Sequence, residues 1–141
     1  MERILVGIDA QESDLAPGIH AVNLAKRIQA KIYILLVKRP NSQGEAPGER
    51  NLIARLEQLI DQARSEGLGL EYFVSEGLLE NEALRFIQQN AITLLVVGQP
   101  KDGGEPALKQ FRRNLENIRL RVDCHIEVVQ QREASVVTER K

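Results

Sequence analysis

The chain has no tryptophan, three phenylalanines, two tyrosines and one methionine. So few aromatic rings leave little surface on which bases could stack, which argues against single-stranded nucleic acid as a ligand. One cysteine, Cys124, cannot close an internal disulfide and fits a reducing cytoplasm. No apolar run reaches the roughly 18 residues that a membrane span requires. Met1-Glu2-Arg3 leads straight into a short strand-like run, not into the long apolar segment of a secretion signal. An excess of charge is missing too. Nineteen basic residues face 20 acidic ones for a net charge of −1, so no bulk field draws the chain to nucleic acid or to an anionic membrane. What is present is an ordinary globular composition, 43% hydrophobic and 28% charged over 141 residues. That is enough for one domain to bury a core without disulfides or metals.

Periodicity divides the chain into alternating strands and helices. Arg3-Ile4-Leu5-Val6-Gly7-Ile8-Asp9 reads as a buried strand, and Ser13 or Asp14 as a cap for the helix after it. Leu15, Ile19, Val22, Ala25 and Ile28 mark one face of that helix, with Pro17 in its first turn and His20 off the stripe on a solvated face. A second strand runs from Lys31 to Val37. The segment 38–48 is rich in Pro, Gly and polar residues and reads as an exposed loop, either a lid or a connector. Leu52, Ile53, Leu56, Leu59, Ile60 and Ala63 mark a second helix, and Gly67 stands where a left-handed cap belongs. Leu70, Tyr72 and Val74 suggest a third strand near a sheet edge. Leu79, Ala83, Phe86 and Ile87 give a third helix, and Ile92 to Val97 a fourth strand buried on both faces and cut off by Gly98. Pro106 opens a fourth helix with the stripe Leu108, Phe111, Leu115 and Ile118, and His125 to Val129 is a last strand. Residues 131–141 have no core to join and read as a flexible tail, leaving 1–130 as the domain. The alternation implies an α/β protein with a parallel sheet, right-handed crossovers and helices on both faces.

Taken in order, Ile4-Leu5-Val6-Gly7-Ile8-Asp9, Gly77, Leu94-Leu95-Val96-Val97-Gly98 and the segment Val122 to Val129 resemble the universal stress protein family over nearly the whole chain. The resemblance implies a single-domain, open, five-stranded parallel sheet in the order 3-2-1-4-5 with two helices on each face. This is the nucleotide-binding, adenine nucleotide alpha hydrolase-like type of fold. It also implies a homodimer, here through Ile126 and Val128 of the last strand, and in one branch ATP held between the end of the first strand and the loop after the fourth. Asp9 would then lie beside the nucleoside, with Val37 near the base.

That branch carries Gly, two residues, Gly, nine residues, then Gly and Ser or Thr, so that backbone N–H groups and a helix N-terminus wrap the phosphates. Here Gly98 fits the first position, but the second falls on Lys101, and Phe111 and Arg112 stand where the last pair belongs. Gly103 and Gly104 are present but out of register. Asp102 and Glu105 place carboxylates where a helix N-terminus would receive phosphate, each worth about 0.3–1 kcal/mol to the helix. Two functional readings follow. The first is a dimeric, cytoplasmic stress-response module that works through unidentified protein partners and does not hold ATP tightly. The alternative is an adenine-nucleotide switch whose altered phosphate loop uses Asp9, Val37, Gly98, Lys101, Gly103 and Gly104.

Other chemistry finds little footing. Asp9 alone reads equally well as a carboxylate capping its own turn. Cys124 and His125 are adjacent and point to opposite faces of a strand, with no second Cys/His set to complete a zinc site, so Cys124 reads as packed against the core. Walker and G-x-G-x-x-G loops are missing, as is a nucleophile elbow, so the chain does not read as an enzyme. Arg112, Arg113, Arg119 and Arg121 interleave with Glu116 and read as a solvated helix face.

Overall fold

The computed structural model describes residues 2–12, 14–40 and 48–130. Ser13, most of the loop between the second strand and second helix, and the tail from 131 lie outside these, so the expectations for them are not addressed by it. The elements alternate as β1 (Arg3–Asp9), α1 (Ala16–Ile28), β2 (Lys31–Lys38), α2 (Glu49–Ser65), β3 (Leu70–Glu76), α3 (Leu79–Asn90), β4 (Leu94–Gln99), α4 (Gly104–Arg119) and β5 (His125–Gln130). All neighbouring strands are parallel, in the order β3-β2-β1-β4-β5.

The three strands with continuous apolar runs occupy the centre. Side chains alternate across a strand, so successive residues serve different layers. Ile4, Val6, Ile8, Ile32, Ile34 and Leu36 pack beneath α1 and α2, against Val22, Ala25, Leu52, Leu56 and Ile60. Leu5, Tyr33, Leu35, Val37, Leu95 and Val97 pack beneath α3 and α4, against Ala83, Ile87 and Ile118. Two helices therefore cover each face. Cys124 packs against the second layer from the start of β5.

Local chemistry sets several element ends. After α2, the Gly67 N–H donates to the Arg64 carbonyl at 3.0 Å and the Leu68 N–H to Ala63 at 3.1 Å. This left-handed cap needs the positive φ of Gly67, 89°. At the far side of the sheet, Lys38 Nζ lies 3.0 Å from Oε2 of Glu49, whose side chain is almost wholly buried. The strand that leaves the sheet and the helix that re-enters it are thus tied together at their ends.

The structure corrects the sequence reading at three elements. In α1 the buried residues are Pro17, Gly18, Ala21, Val22 and Ala25, whereas Ile19 and Ile28 are 45% and 43% exposed. Small residues let α1 approach closely, and a Cβ on Gly18 would come within 3.1 Å of Leu59 in α2. His20 is not merely solvated, because its Nε2 lies 2.6 Å from Glu127 Oε1 on β5. The fourth strand starts at Leu94 instead of Ile92 and continues through Gly98 and Gln99, which pair with Val129 and Gln130. Gly98 is therefore a strand residue, not the turn. Finally, α4 begins at Gly104, two residues before Pro106.

Candidate functional site

β1 lies between β2 and β4, and the helices that follow β1 and β4, α1 and α4, lie on opposite faces, so the chain parts at the carboxyl ends of these two strands. Open α/β sheets hold ligands at this crevice. A cavity of about 410 Å³ occupies it. Its walls are Gly7, Ile8, Leu78 and Leu79 at the base, Pro17 of α1 on one side, and Ala107 and Phe111 of α4 on another. Leu79 is seated over β1 because Gly7 has no side chain, and a Cβ there would come within 3.1 Å of Leu79 Cδ1.

The polar lining is mostly carboxylate: Asp9, Glu12, Asp14 and Glu80, with Arg39 as the cationic member. Asp9 Oδ1 accepts from the Gln11 N–H at 2.9 Å, and its Oδ2 accepts from Arg39 Nη2 at 3.1 Å. Both oxygens are therefore engaged, one capping the turn and one in an ion pair. Asp14 Oδ1 accepts from the Ala16 N–H at 2.8 Å as the chain enters α1, and its Oδ2 lies 3.6 Å from Lys101 Nζ. Glu80 Oε2 accepts from Asn117 of α4 at 3.0 Å. Burial holds the Glu12 carboxyl above its ordinary range, and the negative Asp9 adds to this, while Arg39 pulls the other way.

Of the residues anticipated for a nucleotide, Asp9 and Gly98 line the cavity. Val37 is buried in the core at the end of β2, where its carbonyl accepts from the Ala10 N–H at 2.9 Å. It forms no part of the lining. Lys101 is turned toward Asp14. Gly103 and Gly104 carry φ of 94° and 62° and turn the chain into α4, and a Cβ on Gly103 would come within 2.7 Å of Ala107. Their conformation serves the turn. The N-cap of α4 is Gly103, which makes no side-chain cap, and Glu105 stands in the first turn of the helix. Phe111 stands one helical turn beyond Ala107 on the same face and lines the cavity, placing a ring where the motif needs a glycine. Arg39, Glu12 and Glu80 belong to three separate connections, and no local motif in the sequence joins them.

An open parallel sheet in this order, with paired helices on each face and a crevice at the switch point, defines the adenine nucleotide alpha hydrolase-like class of α/β protein. The universal stress protein family model matches residues 1–130. The chain belongs to that family. No curated protein matches it by sequence. Among solved structures it is similar to universal stress protein UspA from Lactobacillus plantarum, at 20% identity and a TM-score of 0.61, covering 91% of this chain and 97% of that one. A universal stress protein in complex with cAMP is 21% identical with a TM-score of 0.69, covering 93% of this chain and 98% of that one. A family protein from Arabidopsis thaliana with AMP bound is 13% identical with a TM-score of 0.57, covering 96% of this chain and 95% of that one.

Proposed function

We propose that this chain is a non-catalytic regulatory module of the universal stress protein family, cytoplasmic and homodimeric, that acts through protein contacts and does not hold ATP tightly. The observation that carries the reading is the carboxylate lining of the crevice. Asp9, Glu12, Asp14 and Glu80 surround the space, and Arg39 is already engaged by Asp9. A triphosphate brought there meets like charge at short range in a partly desolvated setting, which costs several times what it would in water. Lys101, at the second glycine position of the phosphate motif, is directed at Asp14.

The dimer is assigned to β5. The His125 N–H donates to the carbonyl of Thr93, the residue before β4, so by strand alternation Ile126, Val128 and Gln130 direct their backbone groups outward. Val128 is 39% exposed beside them. Pairing two β5 strands antiparallel about Val128 sets Glu127 of each copy opposite Val129 of the other, not opposite its counterpart. The single cysteine and the net charge of −1 suit a cytoplasmic protein that approaches neither membrane nor nucleic acid.

A thermal melt with and without about 1 mM Mg-ATP tests the reading, since a ligand with a dissociation constant near 10 μM would add roughly 2.7 kcal/mol of stability. An unchanged melting temperature is expected. The structures with cAMP and AMP favour a second reading, an adenine-nucleotide switch using Asp9 and Gly98 of the crevice. A rise on the order of 5–10 °C would favour it over the first. Sensitivity of that rise to Lys101→Ala would then place Lys101 on the phosphates.

A further inference from the structure

β3 is the other edge of the sheet and pairs with β2 along all of its seven residues. Among the described residues nothing pairs with its outer side. Natural sheets protect such edges with lysine, proline or a bulge. Leu70-Glu71-Tyr72-Phe73-Val74-Ser75-Glu76 has neither lysine nor proline and keeps an unbroken register with β2. Its middle is apolar and open, with Phe73 39% and Val74 53% exposed on opposite faces.

The directions of its backbone groups follow from two hydrogen bonds. The Gly69 carbonyl accepts from the Ile32 N–H at 2.9 Å, and the Gly77 N–H donates to the Lys38 carbonyl at 2.8 Å. Residues 69, 71, 73, 75 and 77 therefore turn their N–H and C=O groups toward β2. Leu70, Tyr72, Val74 and Glu76 turn theirs outward. An antiparallel neighbour can bond only where its own outward residues fall opposite these. A second β3 meets that condition when the twofold axis passes through Phe73, and this register engages the strand from end to end. Tyr72 then lies opposite Val74 of the second copy, Leu70 opposite Glu76, and Glu71 opposite Ser75.

No carboxylate faces another in this arrangement. Glu71 is already neutralised by Lys31 within its own chain. Ser75 Oγ, buried and without a hydrogen-bond partner, lies across from Glu71 of the second copy, where a change of χ1 lets the hydroxyl donate to that carboxylate. Phe73 meets its counterpart on the side where it already packs edge-on to Phe86, at 5.2 Å between ring centroids. Aromatic and aromatic–aliphatic cross-strand pairs are among the favourable ones.

We propose that the free edge of β3 is a self-recognition surface that pairs antiparallel, about Phe73, with β3 of a second copy of this chain. This goes beyond the β5 dimer and does not depend on it. Because the two edges lie on opposite sides of the sheet, use of both links copies into an open row of continuous sheet instead of a closed pair.

Cross-linking reads the register directly. Residues facing each other at a non-hydrogen-bonded antiparallel position have Cα atoms about 4.5 Å apart, within the range a disulfide spans. In a Cys124→Ser background, Phe73→Cys is expected to form a disulfide-linked dimer under mild oxidation, whereas Val74→Cys is not. Sedimentation velocity over roughly a hundredfold range of concentration supplies the second arm. Val74→Pro removes an outward N–H and no bond to β2, so it is expected to weaken association at least tenfold, both in the native chain and in Val128→Lys, where β5 is blocked. Circular dichroism verifies that each variant folds. Failure of Phe73→Cys to cross-link, equal cross-linking by Val74→Cys, or association unchanged by Val74→Pro would overturn the proposal. So would a Val128→Lys variant that stays monomeric throughout, which would assign all self-association to β5.

Discussion

Arg39 reaches back across the end of the sheet and donates through Nη2 to Asp9 Oδ2 at 3.1 Å. The carboxylate that a nucleotide would find at the end of β1 is thus already satisfied from within the chain. Asp9→Ala removes both this pair and the cap on the Gln11 N–H, and is expected to lower unfolding free energy by roughly 1–2 kcal/mol. Asp9→Asn keeps an oxygen for the cap and should cost about half as much. Urea titration of the three proteins compares them.

Glu12 gives a pH signature whose sign is fixed. Burial raises its folded-state pKa above the ordinary 4.5, so the folded protein binds the proton more tightly than the unfolded chain. Stability from this group is full at acid pH and falls as pH rises through the interval between the unfolded and folded values. Glu12→Gln is expected to match the parent near pH 4, to melt higher than the parent at pH 7–8, and to lose that part of the slope, since an amide has no proton to release. Melting temperatures across a pH series would show it.

If Gly103 serves the turn into α4, a side chain there is harmful with or without any ligand. Gly103→Ala forces a residue with a Cβ to φ of 94° and brings that atom within 2.7 Å of Ala107. A loss of at least about 1–2 kcal/mol is expected. Adding Mg-ATP should leave the difference from the parent unchanged.

The core predicts a strong contrast between two leucines. Leu95 is fully buried in β4 beneath α3 and α4, while Leu120 is 76% exposed at the end of α4. Leu95→Ala should cost about 2–5 kcal/mol, and Leu120→Ala no more than about 0.5 kcal/mol. Chemical denaturation of the pair is sufficient.

The strands were legible because Ile4 to Ile8, Ile32 to Val37 and Leu94 to Val97 are apolar runs too short for anything but buried strands. Helix faces were less so. Ile19 and Ile28 suggest a core stripe, yet Gly18, Ala21 and Ala25 win the interface by letting α1 lie close to the sheet and to Leu59. Where β4 stops was also illegible, because Gly98 and Gln99 are held in the strand by Val129 and Gln130, residues 31 positions away. That shift moves the turn, so Lys101 comes to face Asp14, and Gly103 and Gly104 serve the entry into α4. Asp9 could be placed from its own strand. Arg39, Glu12 and Glu80 could not, since only the closed fold brings three connections to one place.

The Lys38–Glu49 pair has a consequence for how this chain can change over time. The ion pair sits at the two ends of the connection it spans, so the distance that connection must bridge is set by the scaffold and not by its own sequence. Lengthening such a segment costs only about 0.6 kcal/mol for each doubling. A longer connection between Lys38 and Glu49, carrying a reporter peptide or a new recognition sequence, therefore leaves the spacing of the strand end and helix start it joins to the scaffold.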